Sequence, residues 1–148
     1  MNARSLLTGA AALFVAAALP VAVVSTAYAH HGRGAGRPHK PTEEEAAAFE
    51  RAKPAFERHC FRCHTTDGKK AKPKTLAHLK MDAYPFEGHH ADDAGGVVRK
   101  VLGGDGAKAT MPSDDPGVVT GEDLARILAW ADAYDAARRA AVTVEPKK

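Results

Sequence analysis

Between residues 42 and 139 the apolar side chains recur at spacings of three and four, and that period divides the chain into four helical stretches. Thr42 stands ahead of Glu43, Glu44 and Glu45, a cap followed by acidic first-turn residues. Phe49, Ala52, Phe56, Cys60 and Cys63 then fall on one helical face, with Pro54 inside the pattern predicting a kink or a split. Leu76, Leu79, Lys80 and Ala83 predict a short second helix ended by Tyr84-Pro85. A third starts at Asp92 or Asp93, runs through Val97, Val98, Val101 and Leu102, and stops at Gly103-Gly104. Residues 103–119, rich in Gly, Asp and Pro, read as a loop carrying Met111-Pro112. Thr120 with Asp123 three residues on resembles a capping box, and Leu124, Ile127, Leu128 and Ala131 form the inner face of the last helix. No stretch alternates like a strand, so the expected class is all-α.

The ends read differently. Arg4 followed by an almost wholly apolar Leu6 to Val24 and by Ala27-Tyr28-Ala29 has the layout of a secretory signal over residues 1–29, cleaved before His30. The competing reading is an uncleaved membrane anchor, against which Pro20 and the well-placed small residues argue. Residues 30–41 read as a flexible leader, 42–139 as the folded domain and 140–148 as a flexible tail. His30 and His31 fall at the new N-terminus and read as a mobile polar end rather than a copper site. Removing the signal takes away one of the 21 Lys+Arg and none of the 18 Asp+Glu, which leaves 119 residues at a formal charge of +2. That size fits one small domain, and that balance is too even for a nucleic-acid partner.

Cys60 and Cys63 are the only cysteines, in H-C-F-R-C-H over residues 59–64. A zinc site needs four ligands, and no second C-x-x-C or suitably spaced His pair supplies them. A thioredoxin-like redox pair belongs beside a βαβ unit, and no strands are predicted. C-x-x-C-H in a secreted chain is the signature of covalent haem attachment: both thiols reach a vinyl group from one face, and the adjacent His64 turns its imidazole to the iron. Phe49, Phe56, Val97, Val101, Leu124, Leu128 and Trp130 are few large apolar groups for four helices, and a flat, mostly apolar haem would fill the centre.

From about residue 43 to 138 the chain resembles the small class I cytochromes c. The resemblance rests on a helix leading into Cys60-Phe61-Arg62-Cys63-His64, a Met111-Pro112 in a late loop, and an aromatic-bearing C-terminal helix. It implies about four short helices wrapped around one haem c, thioether bonds from Cys60 and Cys63, His64 as proximal and Met111 as distal iron ligand, and packing of the first helix across the last. It also implies a proline carbonyl holding the proximal imidazole, for which Pro73 in Pro73-Lys74-Thr75-Leu76 is the nearest match, one residue late and without the usual preceding Gly. The segment Tyr84 to His90 departs from the pattern of simple carriers.

Opposite His64, the downstream candidates are His78, Met81, His89, His90 and Met111. Thioether and imidazole both bind haem iron, so ligand chemistry alone does not choose. A loop crossing over the haem favours Met111, stiffened by Pro112; His89 and His90 remain the alternatives. Met81 reads as core filler in a helix, and His78 as a surface or hydrogen-bonded side chain. Two protein ligands leave iron no vacant position, so the expected role is one-electron transfer in the bacterial periplasm rather than enzymatic turnover. Partners would be soluble or membrane-bound redox proteins docking through a small interface at the haem edge, where Lys69, Lys70, Lys72 and Lys74 are candidates. The membrane itself would be a partner only if the signal stayed uncleaved. The alternatives are a haem-based gas- or peroxide-binding or sensor module with a labile or His sixth ligand, and a non-haem Cys/His metal-binding protein.

Overall fold

The computed structural model describes residues 40–144. The expected signal, most of the expected leader and the last four residues lie outside them. Five α-helices and one 3-10 turn follow in order: α1 Glu43–His59, α2 Phe61–His64, α3 Pro73–His78, the 3-10 turn Ala91–Asp93, α4 Ala94–Val101 and α5 Gly121–Val144. No strand is present among the described residues, and an isolated antiparallel bridge pairs Lys80 with Glu87. The all-α expectation holds.

Helix α1 begins where the cap predicted: the Glu45 N–H donates to Thr42 Oγ1 at 3.2 Å. It runs unbroken for 17 residues through Pro54, where a kink or split was expected. Pro54 and Glu50, whose carbonyl one turn earlier loses its N–H partner, are both exposed, so water can replace the missing bond. At the other end of the chain, α5 continues to Val144, five residues into the stretch expected to be a tail. Ala136 to Ala141 are Ala and Arg throughout, strong helix formers that need no cap at residue 139.

The second predicted helix is displaced. α3 starts at Pro73, whose fixed φ suits a first helical turn, and ends at His78. Residues 79–83, expected to be helical, are not. Lys80 and Glu87 exchange both backbone hydrogen bonds at 2.7 and 2.9 Å, and the Met81 N–H donates to the His64 carbonyl at 2.7 Å. Those long-range partners outweigh the i, i+4 bonds a helix would offer. Met81 is buried core, as expected, though on an extended segment.

The centre is more aromatic than predicted. Phe49, Phe56, Phe86, Trp130 and Tyr134 are buried, with Ile127, Leu79, Met81 and Val98 beside them. Phe56 meets Trp130 and Phe86 edge-on at 5.0 and 5.5 Å, the arrangement the ring quadrupoles favour. Val97, Val101, Leu124 and Leu128, named as core from the pattern, are only half-buried. The cluster lies where α1 packs against α5, with α4 on α5. Its polar atoms have partners: Trp130 Nε1 donates to the Tyr84 hydroxyl at 3.0 Å, that hydroxyl donates to the fully buried Glu45, and the Tyr134 hydroxyl donates to the Ala91 carbonyl. Gly95 lets α4 approach α5: a Cβ there would sit 2.7 Å from the Ala131 carbonyl oxygen.

Candidate functional site

Cys60 closes α1 and opens α2, so the chain turns at the first cysteine and delivers Cys63 and His64 within one short helix. Both cysteines are free, half-buried thiols. Desolvation, with Cys63 beside it, pushes the Cys60 thiol up to about 12.

His64 is oriented by the segment behind it. Its Nδ1–H donates to the Leu79 carbonyl at 2.7 Å, leaving Nε2 with the lone pair a metal requires. The carbonyl in this role belongs to Leu79 rather than Pro73, a correction with a physical cause. The chain leaves α3 extended at Leu79, and the Met81–His64 backbone bond lays it alongside the imidazole. Asp82 accepts from the Thr66 N–H at 2.6 Å and from the Thr66 hydroxyl, tying down the turn after His64. Those bonds hold its carboxyl below the usual range.

A cavity of about 510 Å³ opens over this turn, within the roughly 300–1,000 Å³ of small-molecule and cofactor sites. Cys60, Cys63 and His64 line it, and so does Met111, with Leu102, Pro112, Thr75 and His59. Met111 is 38% exposed, a large apolar side chain left uncovered by protein at a cavity wall. Two sets of bonds place its loop. The Thr110 and Met111 N–H groups both donate to the Val101 carbonyl at the end of α4, at 2.8 and 3.0 Å. Asp114 bonds Arg62 at 2.6 Å and Lys70 at 2.7 Å, joining the loop to the residues around the cysteines. Lys70 and Arg62 accordingly hold the Asp114 carboxyl below its ordinary range.

His89 and His90, the alternative ligands, are elsewhere. They cluster with His78, and the three imidazoles each offer a nitrogen within 4.8 Å of the others. Among the described residues this is the group of side chains able to share one ion, and neither cysteine belongs to it. Lys69, Lys70 and Lys72 do line the cavity; Lys74 is exposed nearby in sequence but does not. Sequence reasoning missed His59, whose Nε2 donates to Asp123 at 2.9 Å beside the Arg58–Asp123 pair, and missed Asp114. Asp123, expected to serve a capping box, spends its carboxylate on those two α1 side chains. Only the H-C-x-x-C-H spelling hinted at His59; nothing local marked Asp114.

The donor set fits a covalently held haem. Two thiols three residues apart, an imidazole with one nitrogen already engaged, and a thioether share one mostly apolar cavity. A helical domain with that cavity is built to enclose a prosthetic group attached through C-x-x-C-H. The family model described as cytochrome c matches residues 49–132, more than half of the chain, and the chain belongs to that family. It is a class I, single-haem c-type cytochrome, with covalently bound haem c and electron-transfer chemistry. Comparison with curated proteins and with solved structures gives no match.

Proposed function

We propose that the protein is a one-electron carrier of the bacterial periplasm, with His64 and Met111 as the axial ligands of its haem iron. The observation that carries this reading is that Met111 and His64 line the same cavity as the two cysteines, whereas His89 and His90 do not. A haem bound there supplies exchange of one electron between ferric and ferrous iron. The protein's own share is positional. Leu79 fixes the ring and tautomer of His64, Val101 and Asp114 fix the Met111 loop, and Leu102 and Pro112 keep water from part of the cavity. A thioether sixth ligand raises the potential relative to two imidazoles, and low-dielectric surroundings disfavour the ferric charge in the same direction.

The secretory reading of residues 1–29 supports a periplasmic site of action, and no helix among the described residues is long and apolar enough to cross a membrane. Lys69, Lys70 and Lys72 at the cavity favour an acidic redox partner that docks briefly at the haem edge. Intact mass of periplasmic material tests the assembly. The expected mass is the chain from about His30 plus one haem, and a chain without haem, or with haem removable by acid acetone, contradicts it. Stopped-flow reduction by a small chemical donor tests carrier behaviour. The expected product is a ferrous protein that does not bind added carbon monoxide.

A further inference from the structure

The three histidines that the haem cavity leaves aside are held together by backbone, not by chance rotamers. Gly88 sits at φ +104, a conformation that L side chains rarely adopt. A Cβ there would also lie 2.8 Å from the His78 carbonyl oxygen. The chain after Gly88 is then stapled to the end of α3: the His89 N–H donates to the Ala77 carbonyl and the His90 N–H to the His78 carbonyl, both at 3.0 Å. This geometry brings two consecutive histidines against a third from another element. The His78 and His89 rings are centred 4.3 Å apart, His89 and His90 4.4 Å, and His78 and His90 5.5 Å. Asp93 Oδ1 stands 3.5 Å from His90 Nδ1 and places a carboxylate beside the cluster.

We propose that His78, His89 and His90 form a binding site for a divalent transition-metal ion, separate from the haem, whose occupancy raises the haem's reduction potential. Three imidazoles suit zinc, copper or nickel rather than calcium or magnesium. The ligand nitrogens lie within 4.8 Å of one another, and a tetrahedral site with zinc–nitrogen bonds of about 2.0–2.1 Å wants them roughly 3.3 Å apart. Rotation of side chains that are half-buried or exposed closes that gap. Solvent supplies the fourth ligand on the exposed His89 side, and Asp93 adds negative charge beside His90 that favours a bound cation.

The coupling follows from one residue. His78 is covalently joined to Leu79, and the Leu79 carbonyl accepts the His64 Nδ1–H. A dication bound at His78 adds positive charge one residue from the carbonyl that holds His64, which disfavours the more highly charged ferric state, so the potential rises. This coupling rests on His64 as the proximal ligand and on His89 and His90 being left free of the haem iron, as the Met111 reading has them.

Titration calorimetry of the ferric holoprotein with zinc chloride at neutral pH tests the site, zinc being chosen because it exchanges no electron with haem. The expected result is saturable binding of one equivalent, retained in His30→Gln/His31→Gln and weakened at least about tenfold in His89→Gln, a change at an exposed ring. His78→Gln/His90→Gln should remove the binding. Absence of saturable binding, or binding unchanged in both cluster variants, overturns the site. Potentiometry on the same samples should show a zinc-dependent rise that His89→Gln diminishes. A potential that zinc does not move overturns the coupling. An unaltered haem spectrum in His89→Gln separates either failure from a failure of the Met111 reading.

Discussion

The aromatic cluster between α1 and α5 and the cavity over α2 are made of different materials. In the first, rings fill the space and each buried polar atom described meets another from the protein, as in the chain Trp130–Tyr84–Glu45. In the second, the walls are a short helix, the turn at residues 69–72 and the Met111 loop, held by a few backbone bonds and by the exposed pairs of Asp114. The comparison teaches where a prosthetic group contributes to folding. The α1/α5 side packs on its own, and the cavity side is the one that a haem held by the cysteines would complete.

The sharpest way to break that contrast is the double change Cys60→Ala with Cys63→Ala. Haem retention should be abolished. Hydrogen exchange should then show protection lost across residues 61–82 and 103–119 but retained where α1 meets α5. Uniform protection, or uniform loss, would refute the division. Next in size comes Phe56→Ala, which removes a fully buried ring between Phe86 and Trp130. It should cost about 3–5 kcal/mol in denaturant unfolding of the holoprotein while leaving the haem spectrum unchanged. Tyr84→Phe, which deletes the hydroxyl shared by Trp130 and Glu45, should cost about 1–3 kcal/mol by the same measurement.

The smallest expected effect lies in acid. The Asp114 carboxyl, held low chiefly by its bond to Lys70, ties the Met111 loop to Arg62 and Lys70. Because its folded value is depressed, the contribution is complete above the ordinary carboxylate range and is lost as pH falls through the folded value. Ligation by Met111 should therefore loosen in acid, below about pH 4, read as tighter binding of added imidazole to the ferric protein. Asp114→Asn should show part of that loosening already at neutral pH. Equal imidazole affinity in variant and parent at all pH would show that the tie does not hold the loop.

How much of this was legible before folding depends on the range of each signal. C-x-x-C-H, the Thr42 cap and the α5 face are local patterns, and the structure keeps them. So is Met111-Pro112, and the structure brings it to the same cavity as the cysteines. Leu79 as the carbonyl behind His64 was not legible, because any residue's carbonyl can serve and the choice is made by the Met81–His64 backbone bond. The same bond turned a predicted helix over 76–83 into an extended segment. Phe86 went unnoticed as core because it lies outside any helix, where no i, i+3, i+4 row marks it, and Tyr134, three residues past Ala131 on the same row, lies beyond the part of that face the large aliphatics marked. The histidine cluster needed Gly88's left-handed backbone, which a single sequence does not announce.

The central claim is the identity of the ligand facing His64, and ferric absorption in the far red addresses it most directly. Thioether ligation gives a weak sulfur-to-iron band there. The account predicts that the parent protein shows it, that Met81→Ala and His89→Ala keep it, and that Met111→Ala loses it while opening the ferrous haem to carbon monoxide. A band that survives Met111→Ala, or a spectrum that changes only in His89→Ala or His90→Ala, would contradict the account and make the iron's second ligand an imidazole.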